Sequence, residues 1–122
     1  MAMREDIEHY LIQMGHTFDT LEEGMWVIRD PTNIVITLEH PVLIFRSKLM
    51  ELPKKDREEF FKLLLILNAS EMVHGAYGVE NNNVVIIDTL EVENLNFNEF
   101  QASVEAILLA VSQDYQKLRP FF

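Results

Sequence analysis

Apolar residues recur along this chain with two different periods, and the alternation between those periods sketches its elements. Over residues 5–14, Ile7, Tyr10, Leu11 and Met14 fall at helical spacing behind an acidic first turn, and Gly15 supplies a stop. Residues 16–23 hold only Phe18 and Leu21 as large apolar side chains, so they read as a loop or a short strand before the Glu23-Gly24 turn. Strand-like runs follow at 25–29, 34–38 and 42–50, divided by Asp30-Pro31-Thr32-Asn33 and by His40-Pro41. Connections this short predict an antiparallel meander.

Leu52-Pro53 ends the third run, and Asp56 with Glu59 has the form of a capping box that opens a helix over about 56–68. Runs at 73–79 and 84–89 flank Asn81-Asn82-Asn83, whose tolerance of left-handed backbone suits a tight hairpin. Asn96 and Glu99 repeat the capping pattern before a final helix that reaches about residue 118 and is stopped by Pro120. The order predicts an α+β fold, αβββαββα, with helices packed against an antiparallel sheet. A chain of 122 residues has room for one such domain, 1–122, and no linker or internal repeat divides it.

The middle helix is apolar on more than one side. Phe60, Phe61, Leu63, Leu64, Leu65, Ile66 and Leu67 are interrupted only by Lys62. At about 100° per residue, Phe60, Leu63, Leu64 and Leu67 share a face that can serve the core, while Phe61 and Leu65 point away and Ile66 lies on the opposite flank. Left in solvent, these residues are a solubility liability, so a second surface is expected to cover them. A homodimer through Phe61, Leu65 and Ile66 is the simplest cover; the alternative is another part of the same chain. In the final helix, Phe97, Phe100, Val104, Ile107, Leu108, Val111, Tyr115 and Leu118 form a core stripe, and Leu109 falls off it.

Strand alternation also predicts which sheet face is outside. Arg29, Thr37, Glu39, Arg46, Lys48 and Asp88 mark the polar parity, and Met25, Val27, Val35, Ile44, Val84 and Ile86 share it. An outer face of apolar residues set among charges suits an extended peptide. Isolated apolar residues on a solvated sheet are equally ordinary. On this reading Met25, Val27, Val35 and Ile44 are the partner-binding candidates.

Charge and composition remove other functions. With 20 acidic against 10 basic side chains the formal charge is −10, which disfavours nucleic acid and anionic membranes. There is no cysteine, hence no disulfide, thiolate metal cluster or cysteine nucleophile. No apolar stretch has the form of a signal or a spanning helix, so the cytoplasm is the expected location. His9, His16, His40 and His74 stand without ligand spacing, the serines lack a nucleophile-elbow setting, and no glycine-rich loop can cradle phosphate. No catalytic residue, metal or cofactor is therefore expected, and an enzyme or small-molecule binder would need a concave pocket with converging polar groups.

With this order of elements the chain resembles the type III secretion chaperones, including the Tir-chaperone group, and the related YbjN-like proteins. The resemblance spans almost the whole chain. It rests on the first helix, the meander Met25-Trp26-Val27-Ile28-Arg29, Ile34-Val35-Ile36-Thr37-Leu38-Glu39 and Val42-Leu43-Ile44-Phe45, the helix at 60–68 followed by Ala76-Tyr77-Gly78-Val79, and the acidic final helix. It implies a small acidic homodimer without enzymatic activity, paired through the middle helix, that holds an extended segment of a protein partner. The YbjN-like branch implies instead a regulatory or scaffolding domain without export cargo.

Overall fold

In a computed structural model describing residues 4–122, the first apolar stripe is helix α1 (Arg4–Met14), which buries Ile7 and Leu11 completely. It ends as the sequence predicts: Gly15 takes a left-handed φ of 79°, and its N–H donates to the Ile12 carbonyl at 3.0 Å. The ambiguous segment is strand β1 (Phe18–Glu22), making the order αββββαββα. The meander continues through β2 (Met25–Ile28), β3 (Ile34–Glu39) and β4 (Val42–Glu51). Helix α2 (Arg57–Ser70), the hairpin β5 (Ala76–Glu80) and β6 (Asn83–Glu91), and α3 (Phe97–Leu118) complete the chain, with a 3-10 turn at Arg119–Phe121.

The six strands form one sheet in the order β1-β2-β3-β4-β6-β5, antiparallel at every step. One face holds Trp26, Ile28, Ile34, Ile36, Leu43, Phe45, Val84 and Ile86, all buried, and the helices close over it. Phe45 meets Phe100 of α3 at 5.5 Å between ring centroids, and Tyr10 of α1 meets Phe100 at 5.4 Å. Tilted aromatic contacts of this kind tie the α1, α3 and sheet layers into one core. Helix α2 joins the same core through Phe60, whose ring meets Phe121 edge-on at 5.0 Å.

Two local expectations hold and two fail. Asn81 and Asn82, with φ of 50° and 67°, make the left-handed β5–β6 turn, and the Asn96 side chain accepts from the Glu99 amide at 2.9 Å to cap α3. The capping box at Asp56 does not form. Asp56 is left-handed, with φ of 57°, and its side chain caps nothing, since capping requires an extended residue that aims its oxygen at the first-turn amides. Strand β5 also starts three residues later than its apolar run, because Gly75 turns the chain there with φ of 76°.

That glycine is required twice over. A Cβ at Gly75 would stand 2.7 Å from the Ile87 carbonyl oxygen and 3.1 Å from the Asp88 Cβ, in addition to the left-handed backbone. Gly78, by contrast, has nothing within 4 Å of a Cβ position.

Behind β5 a polar chain runs from the core to the surface. The Tyr77 hydroxyl donates to Asp114 Oδ2 of α3, and Lys117, one turn on, donates to Glu71 just past α2. Asp114 is 1% exposed, and its side chain is hydrogen-bonded to Glu71 as well as to Tyr77. Burial pushes the Asp114 carboxyl up from its ordinary value; the Tyr77 hydrogen bond opposes this, and the neighbouring Glu71 carboxylate adds to it. Burial, then Asp114, likewise pushes the Tyr77 phenol well above its usual range. Glu71 moves the other way, held down chiefly by its bond to Lys117.

Two outcomes are expected. Gly75→Ala should lower the urea midpoint by an amount equivalent to about 1–3 kcal/mol without changing the denaturant slope. For Asp114 the folded carboxyl is raised, so the unfolded state loses its proton first; stability falls as pH rises from about 4 through the folded value. The lowered Glu71 contributes in the opposite sense, losing its stabilisation as pH falls. Asp114→Asn, which keeps an acceptor for Tyr77, should therefore gain stability relative to wild type as pH rises from acid to neutral. Urea midpoints of both proteins across that range check this; a constant difference contradicts it.

Candidate protein-interaction surfaces

Helix α2 divides as its periodicity predicts. Phe60, Leu64 and Leu67 are buried and Leu63 is partly buried, while Phe61, Leu65 and Ile66 are 37%, 68% and 51% exposed. The fold thus brings the three predicted residues together on the outward side of one helix, with Phe61 and Leu65 one turn apart. Among the described residues none closes over Leu65 and Ile66, while Phe61 keeps about a third of its surface in solvent. The helix is held to the sheet edge by Asn68, whose side-chain carbonyl accepts from the Tyr77 N–H at 2.7 Å and whose amide donates to the Tyr77 carbonyl at 3.2 Å. Because β5 is an edge strand, this carboxamide takes the place of a missing strand at Tyr77 and blunts the edge there.

The face of the sheet away from the helices is built in cross-strand rows. One row runs Asp19, Val27, Val35, Arg46, Ile87, Ala76, and the next runs Met25, Thr37, Ile44, Thr89. All four partner-binding candidates therefore lie on this face, but unequally. Met25, Val35 and Ile44 are half-buried, whereas Val27 is only 3% exposed. Asp19 stands directly across from Val27 and Arg29 two residues on, and their 2.8 Å ion pair spans it. A second pair, Arg46 to Glu80 at 3.3 Å, crosses β6 at Val85 and leaves that residue 5% exposed. Both pairs are half in solvent, so they add little stability and act mainly as covers for apolar surface.

The expected outer position of Val84 and Ile86 is wrong. Both are fully buried on the helix-covered face, and Val85, Ile87 and Thr89 take the outer parity of β6. Asp88 misled the pattern. Its register partner is Phe45, so it stands on the inner parity, where its Oδ1 accepts from the Thr89 amide at 2.9 Å.

Asp114 was missed entirely. It lies on the core stripe of α3 between Ala110 and Leu118, and a carboxylate at a stripe position is the signal that could have flagged it. Other chemistry does not assemble. Among the described residues no group of three or more His, Asp or Glu side chains could hold a metal, and no helix is long and apolar enough to cross a membrane. A cleft of about 520 Å³ opens between the β4–α2 connection and Pro120–Phe122, lined by Glu51, Lys54, Lys55 and Asp56 together with apolar residues such as Met50 and Phe121.

Comparison with known proteins agrees with this architecture. YbjN from E. coli, described as a putative transcription regulator, superposes with a TM-score of 0.71 at 14% identity, over 95% of this chain and 93% of that one. A chain of the heterodimeric ExoU-SpcU complex from the type III secretion system of Pseudomonas aeruginosa gives 0.72 at 12% identity, over 88% and 93%. The HopA1-SchA chaperone-effector complex contributes a chain at 0.66 and 11% identity, over 89% of each. Identities this low speak for the fold. No curated protein sequence matches the chain. The CesT_Tir_1 family model matches residues 1–121, almost every position of the sequence, and on that match the chain belongs to the CesT_Tir_1 family.

Proposed function

We propose that this chain is a non-enzymatic, homodimeric protein-binding module of the cytoplasm that holds an extended segment of a partner protein. The observation that carries the reading is the outward half of α2, where Phe61 and Leu65, one turn apart, and Ile66 on the opposite flank all reach solvent. Full burial of a large apolar side chain contributes roughly 1.5–3 kcal/mol; Leu65, 68% exposed, and the exposed third of Phe61 would each gain a share of that against a second copy, and an isologous contact gains each residue twice. The structural likeness to a chaperone-effector complex supports a protein segment as the partner. The mixed outer sheet face, with Met25, Val35 and Ile44 accessible and Val27 beneath its ion pair, offers such a segment apolar contacts within a charged frame.

The likeness to YbjN favours a second reading, a regulatory or scaffolding domain that binds a folded partner. It differs in having no preference for extended chains.

Two measurements separate these readings. Light scattering at several concentrations should give a dimer for wild type and a folded monomer for Phe61→Glu, with unchanged far-UV circular dichroism; a wild-type monomer throughout removes the dimer. Met25→Thr with Ile44→Thr, which keeps β-compatible residues on the sheet, should leave the dimer intact and weaken binding of reduced, carboxymethylated α-lactalbumin several-fold. Wild type that ignores this unfolded chain but captures a folded partner favours the regulatory reading.

A further inference from the structure

Where β4 runs on past its neighbour, the fold opens a recess none of whose walls belongs to α2 or to the Met25–Ile44 row of the sheet. Pairing of β3 with β4 ends at Arg46, and a β-bulge follows: Lys48 pairs with Val85 and Met50 with Val84, which leaves Leu49 without a partner in β6. Against this end of the strand stand Val111, Tyr115 and Leu118, at helical spacing in the last turns of α3, and Phe122. Together with Lys48 and Leu49 they enclose about 230 Å³. Phe122 also walls the cleft of about 520 Å³, so the two spaces meet at that residue.

Three observations define what would fit. The first is charge. In a chain with 20 acidic against 10 basic side chains, this recess is lined by one charged group, the Lys48 ammonium, and by no carboxylate; its other polar walls are Thr32 and Tyr115. Among the described residues Lys48 makes no ion pair. The second is the apolar lining. Leu118 is buried and Leu49 and Val111 are partly buried, while Tyr115 and Phe122 stand 45% and 65% exposed with their rings edge-on at 5.6 Å. A third ring can extend such an edge-to-face set. The third is size: the volume falls below the roughly 300 Å³ at which pockets for free small molecules begin, and it has room for one large side chain.

We propose that this recess receives an aromatic side chain of a partner protein, set against Tyr115, Phe122 and Leu49, with an aspartate or glutamate next to it in the partner's sequence reaching Lys48. Burial of the ring supplies most of the affinity, and Lys48 supplies the preference for its neighbour, because an ion pair this exposed contributes little by itself. The formal charge of −10 opposes an acidic segment at a distance, but that field is screened beyond about 8 Å at physiological salt, so the charge at the point of contact decides. The wider cleft beyond Phe122 carries both signs, Glu51 and Asp56 with Lys54 and Lys55, and adds no preference of its own. The inference rests on the reading of the chain as a protein-binding module, and it names an aromatic residue flanked by a carboxylate as what the partner presents.

The test uses the full chain at neutral pH and low salt with two blocked tripeptides, acetyl-Asp-Phe-Asp-amide and acetyl-Asn-Phe-Asn-amide, titrated while amide resonances are followed by NMR. The aspartate peptide should shift Leu49, Val111, Tyr115 and Phe122, and the asparagine peptide should bind about threefold more weakly. Lys48→Gln, at an exposed position, should make the two peptides equal. Tyr115→Ser, which leaves the core alone, should weaken both. Binding of neither peptide, or equal binding of the two by wild type, overturns the proposal, as does a preference that survives Lys48→Gln. Shifts that map to Met25 and Ile44 instead of the recess overturn it as well. So does conversion of a wild-type dimer to a monomer by Tyr115→Ser, because a second copy would then occupy this face. The Met25→Thr, Ile44→Thr protein should bind both peptides as wild type does, so failure at the sheet face and failure at this recess are distinguishable.

Discussion

The structure depends on a one-sided sheet. Six antiparallel strands present two faces, and the three helices of this short chain cover only one of them, with Phe45, Phe100 and Tyr10 at the centre of that contact. The exposed apolar surface of the sheet follows from this asymmetry. The uncovered face must be polar enough to stay in water, yet its strands still need β-branched and apolar residues to pair well. Ion pairs laid across Val27 and Val85 reconcile the two demands, since their side chains cover apolar surface while keeping charge in solvent. Where no pair spans the row, as at Met25 and Ile44, apolar surface remains accessible.

Most of the fold was legible because the buried elements carry strong periods. The two-sided character of α2 was read from seven residues and appears in the structure as buried Phe60, Leu64 and Leu67 against exposed Phe61, Leu65 and Ile66. What escaped was set by tertiary context. Strand β1 is an edge strand whose residues after Phe18 are all exposed, so it has little apolar alternation to reveal it. The expected parity of β6 is inverted because Asp88 is polar, which points to the solvent side, although its register partner is Phe45. A β-bulge in β4 between Lys48 and Met50 breaks simple alternation there as well. Asp56 shows the same lesson at a helix end: the residue type suits a cap, but the left-handed backbone withholds it.

The exposed side of α2 and the polar cluster around Asp114 are also linked through the end of that helix. An acidic residue at a helix C-terminus opposes the macrodipole, and α2 closes on Glu71 with no basic residue in its last turn. The compensating charge comes from another element: Lys117 of α3 bonds to Glu71, and Asp114, three residues before it, holds Tyr77 of β5. Asn68 adds the reciprocal bonds from α2 to the same tyrosine's backbone. One short stretch of chain thus ties α2, β5 and α3 through polar contacts at the place where apolar packing gives way to solvent. Polar ties are directional, so they orient α2 as well as attach it, which apolar contact alone does less sharply. The direction in which Phe61, Leu65 and Ile66 face is therefore governed partly by a tyrosine, an asparagine and two carboxylates that touch none of them.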